Sequence, residues 1–547
     1  MKLARFPPKW FRFGEKEARH LSKVGASPGS SEPGKPLWGG DTRIPITVCL
    51  MLATLMISLD TTIANVALPH MAGELSASQD QMTWVLTSYI VSAAIMTPIS
   101  GWLADRIGRK MLFLISIFGF TVASMLCGAA TSLPAIVLFR LLQGVFGAAL
   151  IPLSQAVLLD INPPEKHGQA MAVWGAGALV GPILGPALGG WLTDNLNWRW
   201  VFYINLPIGI LTFIGVWIFL GRRVQRPKRP FDFLGFGTLA AFIGALQLML
   251  DRGPTVDWFG SAEIWTYAIL AGVSLYLFVV HSLTAEHPFF DRTLIRDRNF
   301  VAACIVGFFI GSLLYGTLSL LPQMLETLFD YPVQTTGLVT MPRGLGSFFA
   351  MFFVGRLMNK VDIRLILTIG IALSALSTWQ MSHFALNMGA GPVIVSGVVQ
   401  GVGTGLIFVP LSTIAFATLD PRLRGDAAAL YTLLRNLGSS VGISILQYVF
   451  TRNIEVVRSG LAQNLRPDNP NAHFFLPPHA FDTPGGLEAL SGMLNRQAAM
   501  VSYIDDFHLM LTMSFFILPL LLLMKGRPRK AAASAPSAPD LEAQGAH

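Results

Sequence analysis

Two ionisable side chains stand inside long apolar runs, where a charge is costly. Asp60 lies in the apolar run 44–68, and Arg140 lies in the run 134–158. A charged side chain at the centre of a bilayer costs about 2.5–3.5 kcal/mol on insertion scales, so such groups usually face a cavity and mark a proton or substrate path. Asp60 can exchange a proton for a substrate as its surroundings alternate, and Arg140 can tune or pair with a carboxylate. We therefore expect both side chains to face a water-accessible cavity.

A purely structural role stays open for both residues. Asp60 could form a hydrogen bond to a neighbouring span, and Arg140 could hold spans together by hydrogen bonds to backbone carbonyls. Arg140 shares a helical face with Gln143 and Gly144, at i+3 and i+4. Other polar side chains in or near apolar runs are candidates either for the lining of a substrate cavity or for contacts between helices. These candidates are Asn65, Gln143, Gln155, Arg343, Gln400 and Arg435.

The composition is that of an integral membrane protein. Apolar residues make up 52% of the 547 and charged residues 13%, about half the charged share of a soluble chain. The net charge of +8 comes from short basic clusters between apolar runs, which is typical of membrane orientation and argues against a nucleic-acid partner. The chain has no P-loop for ATP, no zinc-protease motif and no metal-ligand spacing among its three cysteines. We expect no enzyme, no metal and no cofactor other than a proton gradient.

Fourteen segments are long and apolar enough to cross a bilayer, which takes about 20 residues. They lie at 44–68, 82–103, 111–130, 134–158, 169–192, 200–220, 234–250, 263–283, 300–325, 335–358, 364–385, 391–418, 427–451 and 507–524. Every second connection is basic, which places both termini in the cytoplasm of a multi-pass protein.

An internal repeat explains the number of spans. The glycine-framed charged turn Gly101–Lys110 returns in weaker form at 355–364, and Gln143-Gly144-Val145 returns at 400–402. We predict an all-α membrane protein with two six-helix pseudo-repeated bundles and two inserted helices. The predicted regions are a basic cytoplasmic tail at 1–43, a first bundle at 44–220, inserted helices at 221–298, a second bundle at 299–524 with a long external loop at 453–505, and a disordered tail at 525–547.

The charged turn predicts a gate between the two bundles at the cytoplasmic end. Asp105 is suited to cap a helix of the other half, and Arg109 could pair with Asp160 at the end of the fourth span. Breaking these contacts would accompany cytoplasmic opening. The predicted gate residues are Gly101, Asp105, Arg106, Gly108, Arg109 and Asp160.

These motifs resemble those of the major facilitator superfamily, whose signature between spans two and three matches Gly101–Lys110 at almost every position. The segments 59–69 and 198–209 resemble motifs of the fourteen-span drug:proton antiporters, and the closest likeness, which extends to Leu250-Asp-Arg-Gly253, is to EmrB-type export permeases. A small-residue motif in the fifth span resembles the one associated with export antiporters. Its residues are Gly177, Gly181, Pro182, Gly185, Pro186 and Gly189.

The resemblance implies a transporter in the bacterial inner membrane. It implies a proton antiporter that exports amphipathic toxic compounds by alternating access, with a periplasmic adaptor (a membrane fusion protein) and an outer-membrane channel as partners. It also links the position of Arg140 to proton transfer. Two alternatives share the fold: an exporter of a narrow substrate such as a metabolite, fatty acid or siderophore, and a proton-coupled importer.

Overall fold

The all-α architecture predicted from the sequence is confirmed in a computed structural model. The structure describes residues 42–221, 230–358, 360–463, 465 and 483–524. Throughout these ranges the regular structure is helical, without a strand, and a helix stands at each of the fourteen predicted spans. Three predicted features lie outside the described residues, namely most of the N-terminal tail, the basic loop 222–229 and the C-terminal tail from residue 525.

Nine α-helices of the described chain form the first half. They are α1 (Arg43–Glu74), α2 (Gln79–Met96), α3 (Ser100–Ile107), α4 (Arg109–Gly128), α5 (Leu133–Gly147), α6 (Leu150–Ile161), α7 (His167–Asn195), α8 (Trp200–Tyr203) and α9 (Asn205–Phe219), with a 3-10 turn at Pro164–Lys166. The chain bends by 59° between α2 and α3, just where Pro98 removes a backbone donor.

The inserted pair consists of α10 (Phe233–Arg252) and α11 (Ala262–Thr284), with 3-10 turns at Gly253–Thr255 and Trp258–Gly260 between them. The second half follows. It contains α12 (Arg292–Arg296), α13 (Arg298–Leu328), α14 (Val333–Leu357), α15 (Ile363–Met381), α16 (Ala390–Ala417), α17 (Arg424–Ala462) and α18 (Pro484–Leu520), with 3-10 turns at Pro421–Leu423 and Leu521–Leu523.

The helices of the two halves pack in the same order. In the first half α1 packs on α7, α2 on α5 and α4 on α9; in the second half α13 packs on α17, α14 on α16 and α15 on α18. The halves meet where α7 contacts α14 and α16, and where α17 contacts α3 and α6. This repeated packing is what a duplicated six-helix unit would produce.

The inserted helix α10 is tied to both halves at its C-terminal end. Thr87 of α2 donates a hydrogen bond to the Asp251 carboxylate, and Ser444 of α17 donates one to the Leu250 carbonyl at 2.9 Å. The ring of Trp258 meets that of Tyr448 edge-on at 5.5 Å. The motif Leu250–Gly253 therefore holds the inserted pair against the joint between α2 and α17.

The number of membrane crossings stays a prediction. Twelve helices of the described chain are long and apolar enough to cross a membrane, and the bent pair α2–α3 makes thirteen. Helix α17 occupies the position of the predicted thirteenth span but is not among them, because it carries Arg435 together with many small polar residues.

The charged turn is shorter than predicted. Residues 100–107 continue as helix α3, and the turn is confined to Gly108, whose φ of +88° is a left-handed conformation open to glycine at no steric cost. Helix α4 begins at the next residue. The end of the bundle that carries Gly108 is called the charged-turn end below.

The predicted external loop 453–505 is largely helical, and the prediction was wrong in this respect. Helix α17 continues to Ala462, and α18 begins at Pro484. Pro484 is at a position in the first turn that tolerates proline, and Thr483 caps the helix by accepting a hydrogen bond from the Gly486 amide at 3.1 Å. The proline- and asparagine-rich stretch that suggested a loop falls at 466–482, outside the described residues.

Helix α7 approaches α1 so closely that only glycine fits at Gly181. A Cβ atom at Gly181 would lie 2.7 Å from the backbone nitrogen of Leu59. Thr62 also donates a hydrogen bond to the Gly181 carbonyl at 3.3 Å. Close contact between helices at small residues is a common packing mode in membranes.

We expect Gly181→Ala to lower the free energy of unfolding by about 1–3 kcal/mol, the usual cost of overpacking. The measurement is thermal unfolding in detergent. Gly190→Ala on the same helix is the matched control, since a Cβ atom there meets nothing within 4 Å. A midpoint for Gly181→Ala equal to that of the control would contradict this account of the motif.

Candidate functional site

The Asp60 carboxylate is the centre of a polar cluster inside the first half. Its Oδ2 lies 2.6 Å from Nη1 of Arg140 on α5. Its Oδ1 accepts hydrogen bonds from Gln143 Nε2 at 2.8 Å and from Asn205 Nδ2 at 3.0 Å. Asn205 also donates to Ser124 at 3.0 Å. Helices α1, α4, α5 and α9 therefore converge on a single acid.

The guanidinium of Arg140 is held on several sides. Its Nε donates to the Val85 carbonyl at 3.1 Å, and its Nη1 donates to Gln143 Oε1 at 2.8 Å. The ring of Tyr89 lies 4.3 Å from the guanidinium carbon, within the range of a cation–π interaction. A buried ion pair is stable only when further hydrogen bonds satisfy both ions, and this one meets that condition.

The expectation that Asp60 and Arg140 face a water-accessible cavity is wrong for this structure. Asp60 is 2% exposed and Arg140 is 1% exposed, and all their partners belong to the first half. The reason is that each ion neutralises the other, so neither needs water. Proton exchange at Asp60 requires the helices around it to separate.

The second half carries no equivalent ion pair at the positions related by the repeat. Leu313 stands at the position of Asp60, and Gly397 at that of Arg140. Gln400, the counterpart of Gln143, donates to Thr317 at 2.9 Å instead. The fold therefore does not require the charged pair, which exists only in the first half.

An aromatic cluster spans the joint between the halves. Trp174 of α7 donates to Thr54 of α1 at 2.9 Å, and its ring stacks on Phe408 of α16 at 6.1 Å with an angle of 22° between the planes. The guanidinium carbon of Arg435 on α17 lies 5.5 Å from the centre of the Phe408 ring. We call Thr54, Trp174, Phe408 and Arg435 the interface cluster.

The interface cluster lies well inside its helices, away from the charged-turn end. Trp174, Phe408 and Arg435 stand between seven and eleven residues from the charged-turn ends of their helices. At 1.5 Å per residue this is about 10–16 Å, close to half of the roughly 30 Å hydrocarbon core. Arg435 is partly accessible, while its Nε is buried without a hydrogen-bond partner in the described chain. A cation beside stacked rings at this depth can hold an amphipathic molecule.

Helix α1 connects the polar cluster to the interface cluster. Thr54 and Asp60 are six residues apart on it, about 9 Å along the axis. Between them, the backbone at Ser58 and Leu59 packs directly on Gly181 of α7, the helix that carries Trp174. A shift of α1 would therefore reach both clusters.

The other candidate cavity residues do not form one site. Asn65 is exposed, and within the described chain its side chain donates to its own helix, at the Thr61 carbonyl. Arg343 is buried in the second half, where it donates to the Leu314 carbonyl at 3.1 Å. Gln155 on α6 is fully buried, and its side-chain nitrogen and oxygen have no hydrogen-bond partner in the part of the chain described. Since α6 packs against α17, Gln155 belongs to a helix that faces the other half.

The predicted pairing of Arg109 with Asp160 is present, and it extends to the second half. Asp160 forms an ion pair with Arg109 of α4 and another with Arg424 Nη1 of α17 at 3.1 Å. A Cβ atom at Gly101 would lie 2.9 Å from the backbone nitrogen of Asp426. Arg106 is exposed, with its guanidinium 5.2 Å from the Trp102 ring. The two halves are therefore in contact at the charged-turn end.

Sequence reasoning missed Thr54 of the interface cluster and four further residues of these clusters. Asn205 was inside a recognised motif but was not singled out, although an amide in an apolar span is a usable signal. Ser124 and the aromatic residues Trp174 and Phe408 stand in apolar segments where their types are ordinary. Nothing in their spacing shows that they meet across helices.

Comparison with known proteins gives a consistent result. Residues 50–443 match the Major Facilitator Superfamily. The chain is 40% identical over 442 residues to Multidrug export protein EmrB of Haemophilus influenzae, which covers 80% of this chain and 86% of the relative. It is also 40% identical over 430 residues to Fatty acid resistance protein FarB of Neisseria gonorrhoeae, covering 78% of this chain and 85% of that protein.

Solved structures share the fold at low sequence identity. The human organic anion transporter MFSD10 superposes with a TM-score of 0.55 at 14% identity, over 87% of this chain and 99% of that one. The proton:xylose symporter XylE superposes with a TM-score of 0.54 at 12% identity, over 88% and 99%.

Proposed function

The chain belongs to the major facilitator superfamily, and we propose that it is a proton-coupled antiporter that exports amphipathic toxic compounds by alternating access. In this proposal it is a multi-pass protein of the bacterial inner membrane with both termini in the cytoplasm. The observation that carries the proposal is the buried Asp60–Arg140 pair, which only the first half contains and which helix α1 connects to the interface cluster between the halves.

In the proposed cycle a proton competes with Arg140 for the Asp60 carboxylate. Protonation removes the negative charge, so the guanidinium loses its partner and the hydrogen bonds from Gln143 and Asn205 weaken. Helix α1 is then free to move, and the hydrogen bond between Thr54 and Trp174 moves with it. Since Trp174 is stacked on Phe408 of the other half, this step changes the contact between the halves.

Substrate binding is assigned to the interface cluster. Stacked aromatic rings and nearby methionine side chains adapt to varied apolar molecules, and Met351 borders this stack at Gly175. Support for export comes from the relatives that are named as multidrug export proteins. A gradient of one pH unit supplies about 1.36 kcal/mol per proton, and the membrane potential adds roughly 2.3 kcal/mol per 100 mV.

A periplasmic adaptor and an outer-membrane channel complete the proposal. Helix α17 has 39 residues and α18 has 37, so each is about 55 Å long or more. That length exceeds the roughly 30 Å hydrocarbon core, and both helices extend at the end opposite the charged turn. This extension offers an adaptor a surface outside the membrane.

The test is transport in proteoliposomes with an imposed pH gradient. In vesicles where the transporter is inserted inside out and the interior is acidic, an amphipathic dye should be driven into the vesicles. Collapse of the pH gradient should stop this uptake. Flux in the direction of proton flow would identify an importer instead. Proton-independent flux, or no flux of any amphipathic compound, would refute the proposal.

A narrower function is favoured by one observation, the unneutralised Arg435 at the aromatic stack. No ion pair of Arg435 occurs among the described residues, so an amphipathic acid could place its carboxylate there. The relative named for fatty acid resistance fits such an exporter.

Arg435→Gln separates the two possibilities. For an exporter of acids we expect the apparent affinity for a fatty acid to fall about 10-fold or more, since a lost charge-assisted bond of about 1.5–3 kcal/mol corresponds to that factor. The affinity for a neutral amphipathic dye should be unchanged. Equal effects on both substrates would contradict a specific role in binding acids, and Arg343→Gln in the second half serves as the control for loss of a buried arginine.

A further inference from the structure

Asp506 is a buried acid that the proposed cycle does not use. It lies on α18 with 0% exposure, and neither of its carboxylate oxygens has a hydrogen-bond partner in the part of the chain described. Asp60, in contrast, has a cation and two amide donors. The two buried acids therefore have opposite surroundings.

The neighbours of Asp506 on its own helix place it in the core of the second half. Tyr503 and Met510 lie three residues before and four after it, on the same face of α18. The Tyr503 ring is 4.3 Å from Phe450 of α17, and Met510 Sδ is 4.0 Å from Thr317 of α13. Along α18, Asp506 lies between the contact of Tyr503 with Phe450 and the contact of Met510 with Thr317.

The helices around Asp506 offer no buried counter-charge within the described chain. On its own helix the nearest titratable groups are the exposed Asp505, the exposed His508 and Tyr503. Asp505 accepts a hydrogen bond from Asn453 at 3.4 Å, and the His508 ring lies 3.0 Å from the Ile504 carbonyl of the same helix. On α15 the one charged residue, Arg364, is at the charged-turn end of the helix. The titratable residues of α13 and α17 nearest this level are exposed, and they are Glu326, Tyr448, Arg452 and Glu455.

An ionised carboxylate in this position would be poorly tolerated. Desolvation of an unpaired ion costs several kcal/mol even after the protein relaxes, and such groups become neutral instead. The neutral carboxylic acid fits the site because it carries no charge to compensate. The surroundings of Asp506 therefore favour the neutral acid, whereas Asp60 is paired with a cation.

We propose that Asp506 is a second proton-carrying site, so that each half of the transporter carries one exchangeable proton. The inference rests on the proposed proton antiport. When the helices of the second half separate toward the cytoplasm, water reaches the acid, which releases its proton and becomes a carboxylate. The carboxylate takes up a proton from the outer side before the half closes again.

The test is a comparison of proton stoichiometry in Asp506→Asn and Asp505→Asn. Both variants remove one acid from adjacent positions of α18, and only Asp506 is buried. In proteoliposomes with the membrane potential clamped at zero, a neutral substrate reaches a limiting ratio that rises about 10-fold per pH unit for each coupled proton. We expect a ratio of about 100 at one pH unit for the wild type and Asp505→Asn, and about 10 for Asp506→Asn.

The outcomes of this experiment distinguish failure of the second proton site from failure of the proposed antiport. An Asp506→Asn ratio equal to that of the wild type would overturn the second proton site and leave the antiporter intact. A wild type that builds no gradient would overturn the proposed function itself. Substrate exchange without a pH gradient reports whether each variant is folded. Failure of Asp506→Asn to fold would also contradict the inference, since asparagine is neutral and has nearly the shape of the protonated acid.

Discussion

Asp60→Asn should abolish proton-driven accumulation of substrate while substrate exchange without a gradient continues. At two pH units the limiting substrate ratio should fall to one, a loss of at least about 100-fold, because each coupled proton supplies about 2.7 kcal/mol at that gradient. Asparagine keeps the shape of the side chain and can still accept hydrogen bonds from Gln143 and Asn205. It cannot gain or lose a proton.

The loss of proton-driven accumulation in Asp60→Asn should exceed that of any change at Asp506. The reason is that Asp60 is paired with a cation in the described chain, whereas Asp506 is not. When Asp60 is neutral, Arg140 keeps the Val85 carbonyl, Gln143 and the Tyr89 ring but has no anion. We expect the loss of the ion pair between Asp60 and Arg140 to release α1 and let it move. Among the described residues Asp506 has no partner whose release would move a helix, so Asp506 can add a proton to the cycle but cannot replace the switch.

A structural explanation of a defective Asp60→Asn variant must be excluded, since breaking a buried ion pair costs about 3–5 kcal/mol. The double variant Asp60→Asn/Arg140→Gln removes both charges and leaves neutral side chains of similar size. We expect it to recover much of the lost thermal stability, but not proton-driven accumulation. If the double variant accumulates substrate as the wild type does, Asp60 is a structural partner of Arg140 and not a proton carrier.

The positions of the helices were predictable from the sequence because membrane crossing depends on local composition. A helix stands at every predicted span, and Asp60, Arg140 and Gln143 do meet. Their mutual burial was not predictable. It depends on Asn205, Ser124 and Val85 reaching the same place from three further helices, which no spacing in the sequence encodes.

The errors at the ends of helices have a different cause. The turn at Gly101–Lys110 was recognised by its glycines and charges, yet leucine, alanine and arginine are good helix formers and only Gly108 needs a special conformation. In the same way, the prolines and asparagines of 466–482 made the whole segment 453–505 resemble a loop. The residues on either side, 453–462 and 484–505, contain no proline beyond the first turn of α18 and extend α17 and α18.

Arg424→Gln should open the charged-turn end, whereas Arg109→Gln should leave it closed. Both changes remove one cation from Asp160, but Arg424 belongs to the second half and Arg109 to the same half as Asp160. Truncating one member of a partly buried charge pair costs about 2 kcal/mol or more, which shifts an equilibrium between closed and open states about 30-fold.

The measurement is the distance between spin labels on Glu165→Cys and Lys360→Cys, two exposed positions at this end, one on each half. The three native cysteines are buried, so the labels attach selectively. We expect Arg424→Gln to move most of the population to a longer distance and Arg109→Gln to match the parent. Asp160→Asn should open the end as well, because it removes the anion that both arginines share. Equal distance distributions for Arg424→Gln and Arg109→Gln would show that Asp160 is not a link between the halves. Closure at this end would then depend on the packing of Gly101 against α17.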